Sequence, residues 1–274
     1  MNPLKNQGFL VRRKSERFPS VSIIIPAHNE EKRIEKTLLD YIIFFSKKYK
    51  KDFEIIVVLN GCTDNTEKVV KKIKRRFGQI RYLNFKQSGK GFAVIEGFKS
   101  AKGKLIGFAD ADDATMANEF YKLIEGIDRY DGIIASRWAK GSVIQPKQPL
   151  KRQISGRIFN LLIRLMFHMS YKDTQCGAKL FKSEALKTIL PNLGITEWAF
   201  DVDLLYNAER NHLRIMEIPT VWHDMGGSKI KYLKSSLQMI IAISRLRMVY
   251  SPFEFIVRFY DMLPEKIKLK NIIK

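Results

Sequence analysis

Apolar and polar positions alternate between two spacings along most of the chain. VSIIIPA (21–27) is a continuous apolar, β-branched run that predicts a buried strand. In NEEKRIEKTLLDYIIFF (29–45), Ile34, Leu38, Tyr41 and Ile42 recur at helical spacing. FEIIVVLN (53–60) is a second strand, and DNTE (64–67) reads as a capping box opening a helix to about Phe77. The lysines of that helix form a solvated face. The alternation continues with a strand at IRYLNF (80–85), a helix from about Gly91 to Ala101 and a strand at LIGFAD (105–110). A helix near 117–127 and a strand at GIIASR (132–137) follow. Strands alternating with helices predict a largely parallel sheet covered on both faces, with ligands beyond the carboxyl ends of its strands. Three polar loops are expected at that edge: PAHNE (26–30), LNGCTDNT (59–66) and the end of FADADDAT (108–115).

From about residue 150 the pattern changes. KRQISGRIFNLLIRLMFHM (151–169) confines Gln153, Arg157, Asn160, Arg164 and His168 to one narrow stripe, leaving an apolar face too wide for an ordinary surface helix. SLQMIIAISRLRMVY (236–250) and FEFIVRFYDML (253–263) behave alike. Such helices, studded with Lys and Arg, suit a membrane interface. Packing against one another or across a homodimer would also cover them. Residues 1–19 read as a basic tail, 20–230 as the main domain and 231–274 as C-terminal amphipathic helices.

The composition narrows the partners. Of 274 residues 45% are hydrophobic, enough for one large domain, and the net charge of +21 favours anionic partners. Cys62 and Cys176 form no metal-binding pair spacing. The N-terminal stretch lacks the apolar core of a signal peptide, and no run of 18 uncharged apolar residues predicts a span. GKGFAV lacks the third glycine of a dinucleotide fingerprint and no P-loop is present. A basic nucleic-acid-binding protein is the rival from another class, but the chain carries no signature of one. In an extended segment Asp110 and Asp112 point to one side and could share Mg²⁺ or Mn²⁺ while leaving room for substrate phosphates. An acidic turn without metal is the alternative.

Six motifs in order, VSIIIPAHNEE, EIIVVLNGCTDNT, SGKGFAV, FADADDAT, DTQCGAKLF and EWAFDVDLLYNAER, resemble the family 2 glycosyltransferases of GT-A fold over about residues 20–230. They are most similar to the branch that glycosylates dolichyl or polyprenyl phosphate. The resemblance implies a Rossmann-like sheet flanked by helices. It also implies inverting, metal-dependent transfer of glucose or mannose from UDP-glucose or GDP-mannose, by a peripheral protein on the cytoplasmic membrane face. Another acceptor, a growing glycan or a lipid-diphosphate-linked sugar, is the alternative within the family.

Carried onto matching positions, the resemblance places Asp110 and Asp112 on the metal and the nucleotide sugar. Pro26, Ala27, His28 and Glu30 fall near base and ribose, and Lys90 near the diphosphate. Asp201 is the expected catalytic carboxylate, with Asp203 as fallback, although a phosphate acceptor arrives ionised and needs little more than orientation. Arg137, Lys151, Arg152 and Ser155 match the branch's acceptor-phosphate positions, and Lys229 of GGSK (226–229) could close on phosphate. Two departures stand out. His28 occupies a position that is Tyr in many relatives, and Leu59-Asn60-Gly61-Cys62 replaces a common DDGS, leaving Asn60 with an amide where relatives hold a carboxylate.

Overall fold

The computed structural model describes residues 19–194, 199–224 and 232–262. The first half is a regular alternation of β1 (Val21–Ala27), α1 (Ile34–Tyr49), β2 (Phe53–Asn60), α2 (Thr66–Lys74), β3 (Ile80–Phe85), α3 (Lys90–Ser100), β4 (Leu105–Ala109), α4 (Ala117–Gly126) and β5 (Gly132–Ser136). The second half comprises β6 (Val143–Gln145), α5 (Leu150–Phe167), β7 (Ala178–Lys182), α6 (Ser183–Ile189), α7 (Phe200–Arg210), β8 (Ile215–Pro219), β9 (Val221–His223), α8 (Tyr232–Val249) and α9 (Glu254–Met262).

Seven strands form one sheet in the order β3-β2-β1-β4-β7-β5-β8, and β6 pairs with β9 in a small parallel ribbon. All pairs in the large sheet are parallel except those of β7, which runs antiparallel between β4 and β5. β1 pairs with β2 on one side and β4 on the other, so the chain reverses its winding between β1 and β4. That switch opens a crevice at the carboxyl ends, where β1, β2 and β4 deliver their loops together.

Every residue of β1 is buried, as a strand covered on both faces requires. Ile23 and Ile25 face Leu38, Tyr41 and Phe45 of α1, while Ile24 belongs to the opposite layer with Phe98, Phe108 and Phe200. Each such side chain contributes about 1.5–3 kcal/mol by leaving water. A third cluster joins Ile163 and Phe167 of α5, Val202 and Leu205 of α7, and Ile243 and Leu246 of α8. α8 is thus docked on the main domain through one face.

Two local expectations need correction. The helix after the second loop begins at Thr66 and ends at Lys74, short of Phe77. Asp64 accepts from the Thr66 backbone N–H at 3.0 Å, but Glu67 pairs with Lys71 at 2.9 Å instead of closing a capping box. An i,i+4 ion pair along the helix surface took the side chain that the capping box needed.

Candidate functional site

β4 delivers Asp110 at the edge of the crevice. The Asp110 N–H donates to the Gly177 carbonyl at 3.1 Å, extending the register that pairs Ala109 with Ala178. Gly177 permits this approach, since a Cβ there would lie 1.8 Å from Asp110 Oδ2. On its other side Asp110 meets Lys90, the first residue of α3, with Nζ 2.8 Å from Oδ1. Gly89 enters that helix at a φ of +133°, which glycine adopts without strain. Burial alone would lower the pKa of Lys90, but the charges of Asp110 and Asp201 outweigh it and hold the ammonium protonated.

The three aspartates of FADADDAT have separate partners. Asp113, buried in a left-handed conformation, faces Lys36 of α1 at 3.0 Å. Asp112 accepts from the Ala114 N–H at 3.1 Å and has Arg33 Nη1 3.8 Å away. Arg33 itself grips Glu30 through two bonds of 2.7 and 2.6 Å. Burial and the neighbouring Asp110 charge push the Asp112 carboxyl up to about 6, against the pull of Ala114 and Arg33. Asp110 and Asp112 are therefore a strained anionic pair, each already facing a cation. Among the described residues no cluster of three or more His, Cys, Asp or Glu forms. Two hard oxygen donors without a third suit an ion such as Mg²⁺ or Mn²⁺ that completes its shell with substrate oxygens and water.

Beside this pair stand the first two loops. Pro26 and Ala27 are buried in β1 opposite Val58 and Leu59. His28 is exposed, and its Nδ1 lies 2.6 Å from the Asn60 carbonyl oxygen. A carbonyl only accepts, so Nδ1 carries a proton and donates it. The Asn60 side chain is buried, and its Oδ1 has no partner among the described residues. Asn29 ties the two loops, accepting from the Thr63 N–H at 2.8 Å, and the Glu30 N–H donates to Thr66 Oγ1 at 2.8 Å.

α7 separates the two candidate catalytic carboxylates. Residues two apart on a helix lie about 200° apart around its axis, and Asp201 and Asp203 accordingly serve different neighbours. Asp201 has Lys179 Nζ 2.5 Å from Oδ1 and Lys90 Nζ 3.6 Å from Oδ2. Burial would raise its pKa, but the two ammonium groups reverse the effect and hold the carboxyl below its ordinary value. α3 reaches Asp201 because Gly91 lets it abut α7; a Cβ at 91 would meet Phe200 Cβ at 2.6 Å. Asp203 is fully buried and accepts from Tyr250 Oη at 2.6 Å, Asn207 Nδ2 at 2.9 Å and the Gly194 N–H at 3.2 Å. Its carboxylate ties the end of α8 to α7, and the carboxylate of this helix that faces Lys90 is Asp201.

The positions expected to meet an acceptor phosphate are partly neutralised. Arg137, just past β5, makes a bidentate pair with Asp173 through Nε at 2.7 Å and Nη2 at 2.8 Å, and its guanidinium lies 5.4 Å from the Trp222 ring centre. Arg152 pairs with Asp224 at 2.6 Å. Ser155 is exposed, with its hydroxyl donating back to the Arg152 carbonyl at 3.1 Å. The Lys151 side chain and all of Lys229 lie outside the described residues. Arg33 and Lys179 join the candidate site without having been singled out in the sequence, and Arg157 of the α5 stripe lies 5.0 Å over the Trp138 ring. α5 leaves Leu150, Ile154, Ile158, Leu161 and Leu165 exposed along one face, and Phe253, Phe255, Ile256, Phe259 and Met262 are exposed on and beside α9. No helix among the described residues is long and apolar enough to cross a membrane.

Comparisons with known proteins agree with this architecture. A sequence model described as Glycosyl transferase family 2 matches residues 22–190. The chain is 36% identical over 243 residues to a dolichyl-phosphate beta-glucosyltransferase of Dictyostelium discoideum, covering 84% of this chain and 74% of that protein. The human protein of the same name is 32% identical over 233 residues, covering 80% and 72%. Among solved structures, glucosyl-3-phosphoglycerate synthase from Mycobacterium tuberculosis, in complex with Mn²⁺, uridine diphosphate and glucosyl-3-phosphoglycerate, superposes with a TM-score of 0.60 at 18% identity, covering 82% of this chain and 78% of that one. A mannosyltransferase from Pyrobaculum calidifontis in complex with GDP-Man and Mn²⁺ gives 0.58 at 16% identity, covering 93% and 69%. These structures establish the GT-A fold, and the sequence matches establish that the chain belongs to glycosyl transferase family 2 and is a glycosyltransferase.

Proposed function

We propose that this family 2 glycosyltransferase moves glucose, with inversion, from a nucleoside diphosphate sugar to dolichyl or polyprenyl phosphate at the cytoplasmic surface of a membrane. The observation that carries the reading is the pair Asp110 and Asp112 at the end of β4, faced by Lys90 and Arg33 in the crevice where such sheets bind ligands. The names of the relatives support glucose as the sugar and a dolichyl phosphate as the acceptor.

Asp110 and Asp112 would hold the divalent ion, which when bound offsets charge on the leaving diphosphate. Lys90 and Arg33 stand within reach of the same charge. His28 and Asn60 flank the base, with Pro26, Ala27 and Glu30 shaping that loop. Arg137, Lys151, Arg152, Ser155 and Lys229 are assigned to the acceptor phosphate. Asp201, with an ammonium on each oxygen, is a poor proton acceptor and a good fixed anion. That suits an acceptor which arrives ionised, so positioning of the two phosphorylated substrates supplies much of the rate. The exposed apolar faces of α5 and α9 and the net charge of +21 support docking on an anionic bilayer.

The test offers radiolabelled UDP-glucose, GDP-mannose and UDP-N-acetylglucosamine separately with short polyprenyl phosphate and Mn²⁺, and follows label into the organic phase. Label from UDP-glucose alone is the expected result. Label from GDP-mannose alone would overturn the sugar, and donor binding without lipid labelling would move the acceptor to a glycan or a lipid diphosphate.

A further inference from the structure

Lys179 is a fully buried cation inside a glycosyltransferase core, contributed by β7, which runs antiparallel to both of its neighbours. Its ammonium donates to the Cys176 carbonyl at 2.7 Å and to Asp201 Oδ1 at 2.5 Å, and lies 5.3 Å from the Phe108 ring centre. Lys90 approaches the same ring at 5.4 Å. Four charges of alternating sign thus run from the core to the crevice: Lys179, Asp201, Lys90 and Asp110, with successive separations of 2.5, 3.6 and 2.8 Å.

The separations are unequal in an informative way. Asp201 makes its close contact with Lys179 and a longer one with Lys90, while Lys90 makes its close contact with Asp110. A carboxylate this buried needs a contact cation, because an unpaired charge in the interior costs several kcal/mol. Lys179 fulfils that need from the core side. Without it, Lys90 is the remaining cation in reach and would be drawn from 3.6 Å into contact with Asp201, away from the Asp110 side where the donor diphosphate is assigned.

We propose that Lys179 is a positioning residue for donor binding: by satisfying Asp201 from within the core, it leaves Lys90 disposed toward Asp110 and the diphosphate. The inference rests on the donor site proposed above. Lys179, fully buried, acts through Asp201 and Lys90.

The experiment measures binding of UDP, and of GDP in parallel, by calorimetry at saturating Mn²⁺, with thermal melts of each variant. Lys90→Met is expected to weaken nucleotide binding about tenfold. Lys179→Met should weaken it by a similar factor, and the two together should be no worse than either alone. Removing the anion with the cation removes the pull, so Lys179→Met/Asp201→Asn should bind within about threefold of Asp201→Asn. Wild-type affinity in a folded Lys179→Met would overturn the proposal and reduce Lys179 to a stabilising core cation. If Lys179→Met does not fold, the double variant carries the test, because replacing both members of a buried pair is far milder than removing one. Affinity equal to that of Asp201→Asn then supports action through Asp201, and a further tenfold loss refutes it. Absence of binding of either nucleotide to the wild-type protein would instead sink the donor site itself, and this inference with it.

Discussion

Gly177→Ala is the most exacting test of the donor site, because it perturbs Asp110 without altering a charge. The glycine's backbone lies outside the left-handed region, so alanine adds no conformational strain and only space matters. The new Cβ would fall 1.8 Å from Asp110 Oδ2 and 2.3 Å from Cγ, where Cβ atoms essentially never come within 3.0 Å of a neighbour. The backbones cannot easily part, because the Asp110 N–H is bonded to the Gly177 carbonyl and β4 and β7 pair from Leu105 to Ala109. The carboxylate therefore has to swing by more than about 1 Å, and displacements of that size at a reacting centre cost roughly a hundredfold in rate. That fall in kcat/KM at subsaturating donor corresponds to about 2.7 kcal/mol of lost transition-state stabilisation. The assay is sugar transfer to short polyprenyl phosphate, with Mn²⁺ titrations to follow the loss of metal affinity. Combining Gly177→Ala with Asp110→Asn should add little to Asp110→Asn alone. A Gly177→Ala protein with wild-type melting and a rate within threefold of wild type would show that the position of Asp110 does not matter, and the metal assignment would fall with it.

Four further outcomes are expected. Tyr250→Phe removes a donor from buried Asp203 and should cost about 1–3 kcal/mol in denaturant melts while sparing kcat. Asp201→Asn leaves Lys179 buried with a neutral partner and should cost about 3 kcal/mol near pH 7. Because the folded-state pKa of Asp201 lies below its ordinary value, its stabilisation is complete above about pH 4 and is lost as pH falls through the folded value. The wild-type advantage over Asp201→Asn should therefore shrink in melts below pH 4, and a gap that widens there would contradict the pairing. Ile158→Glu with Phe259→Glu should leave melting unchanged and weaken sedimentation with anionic phospholipid vesicles at least tenfold; unaltered vesicle binding would assign those faces to another partner. Burial pushes the Cys176 thiol up to about 12, so at pH 8 a maleimide should label Cys62 and leave Cys176 unmodified until the protein unfolds.

The fold was legible where one period governs a whole element. β1 and β2 fall where their apolar runs predict, because strands buried on both faces are written as continuous β-branched segments, and the edge strand β3 also falls at IRYLNF although only its first residue is buried. β7 escaped that reading. Its five residues AKLFK carry lysine at both the second and the last place, and nothing local says that the first of these points into the core or that the strand runs antiparallel. The wide apolar face of α5 was legible too, and the structure divides it. Ile163 and Phe167 serve the core while Ile154, Ile158, Leu161 and Leu165 face outward. A periodicity argument sees one broad stripe and cannot tell which half a neighbour will cover.

The candidate site follows the same division between local and distant information. Asp110 and Asp112 could be singled out by their spacing at a strand end, but the extended geometry expected there is not what joins them: β4 ends at Ala109 and residues 111–112 form a turn, in which Asp112 accepts from the Ala114 N–H. Choosing between Asp201 and Asp203 could not be done that way. Both stand in the first turn of α7, both are acidic, and either could have been a cap. The partners that separate them arrive from far along the chain: Lys179 and Lys90 for Asp201, Tyr250 for Asp203. Arg137 teaches the reverse lesson, since a cation expected to stand ready for an anionic acceptor is already held by Asp173 at 2.7 Å. On the proposed function, a lipid phosphate approaching that pair would compete for the guanidinium or share it, since the bidentate grip uses Nε and Nη2 and leaves the Nη1 donors. The Asp173 carboxylate would then fix the plane of the guanidinium, and Arg137 would meet the phosphate as a preset donor rather than a free cation.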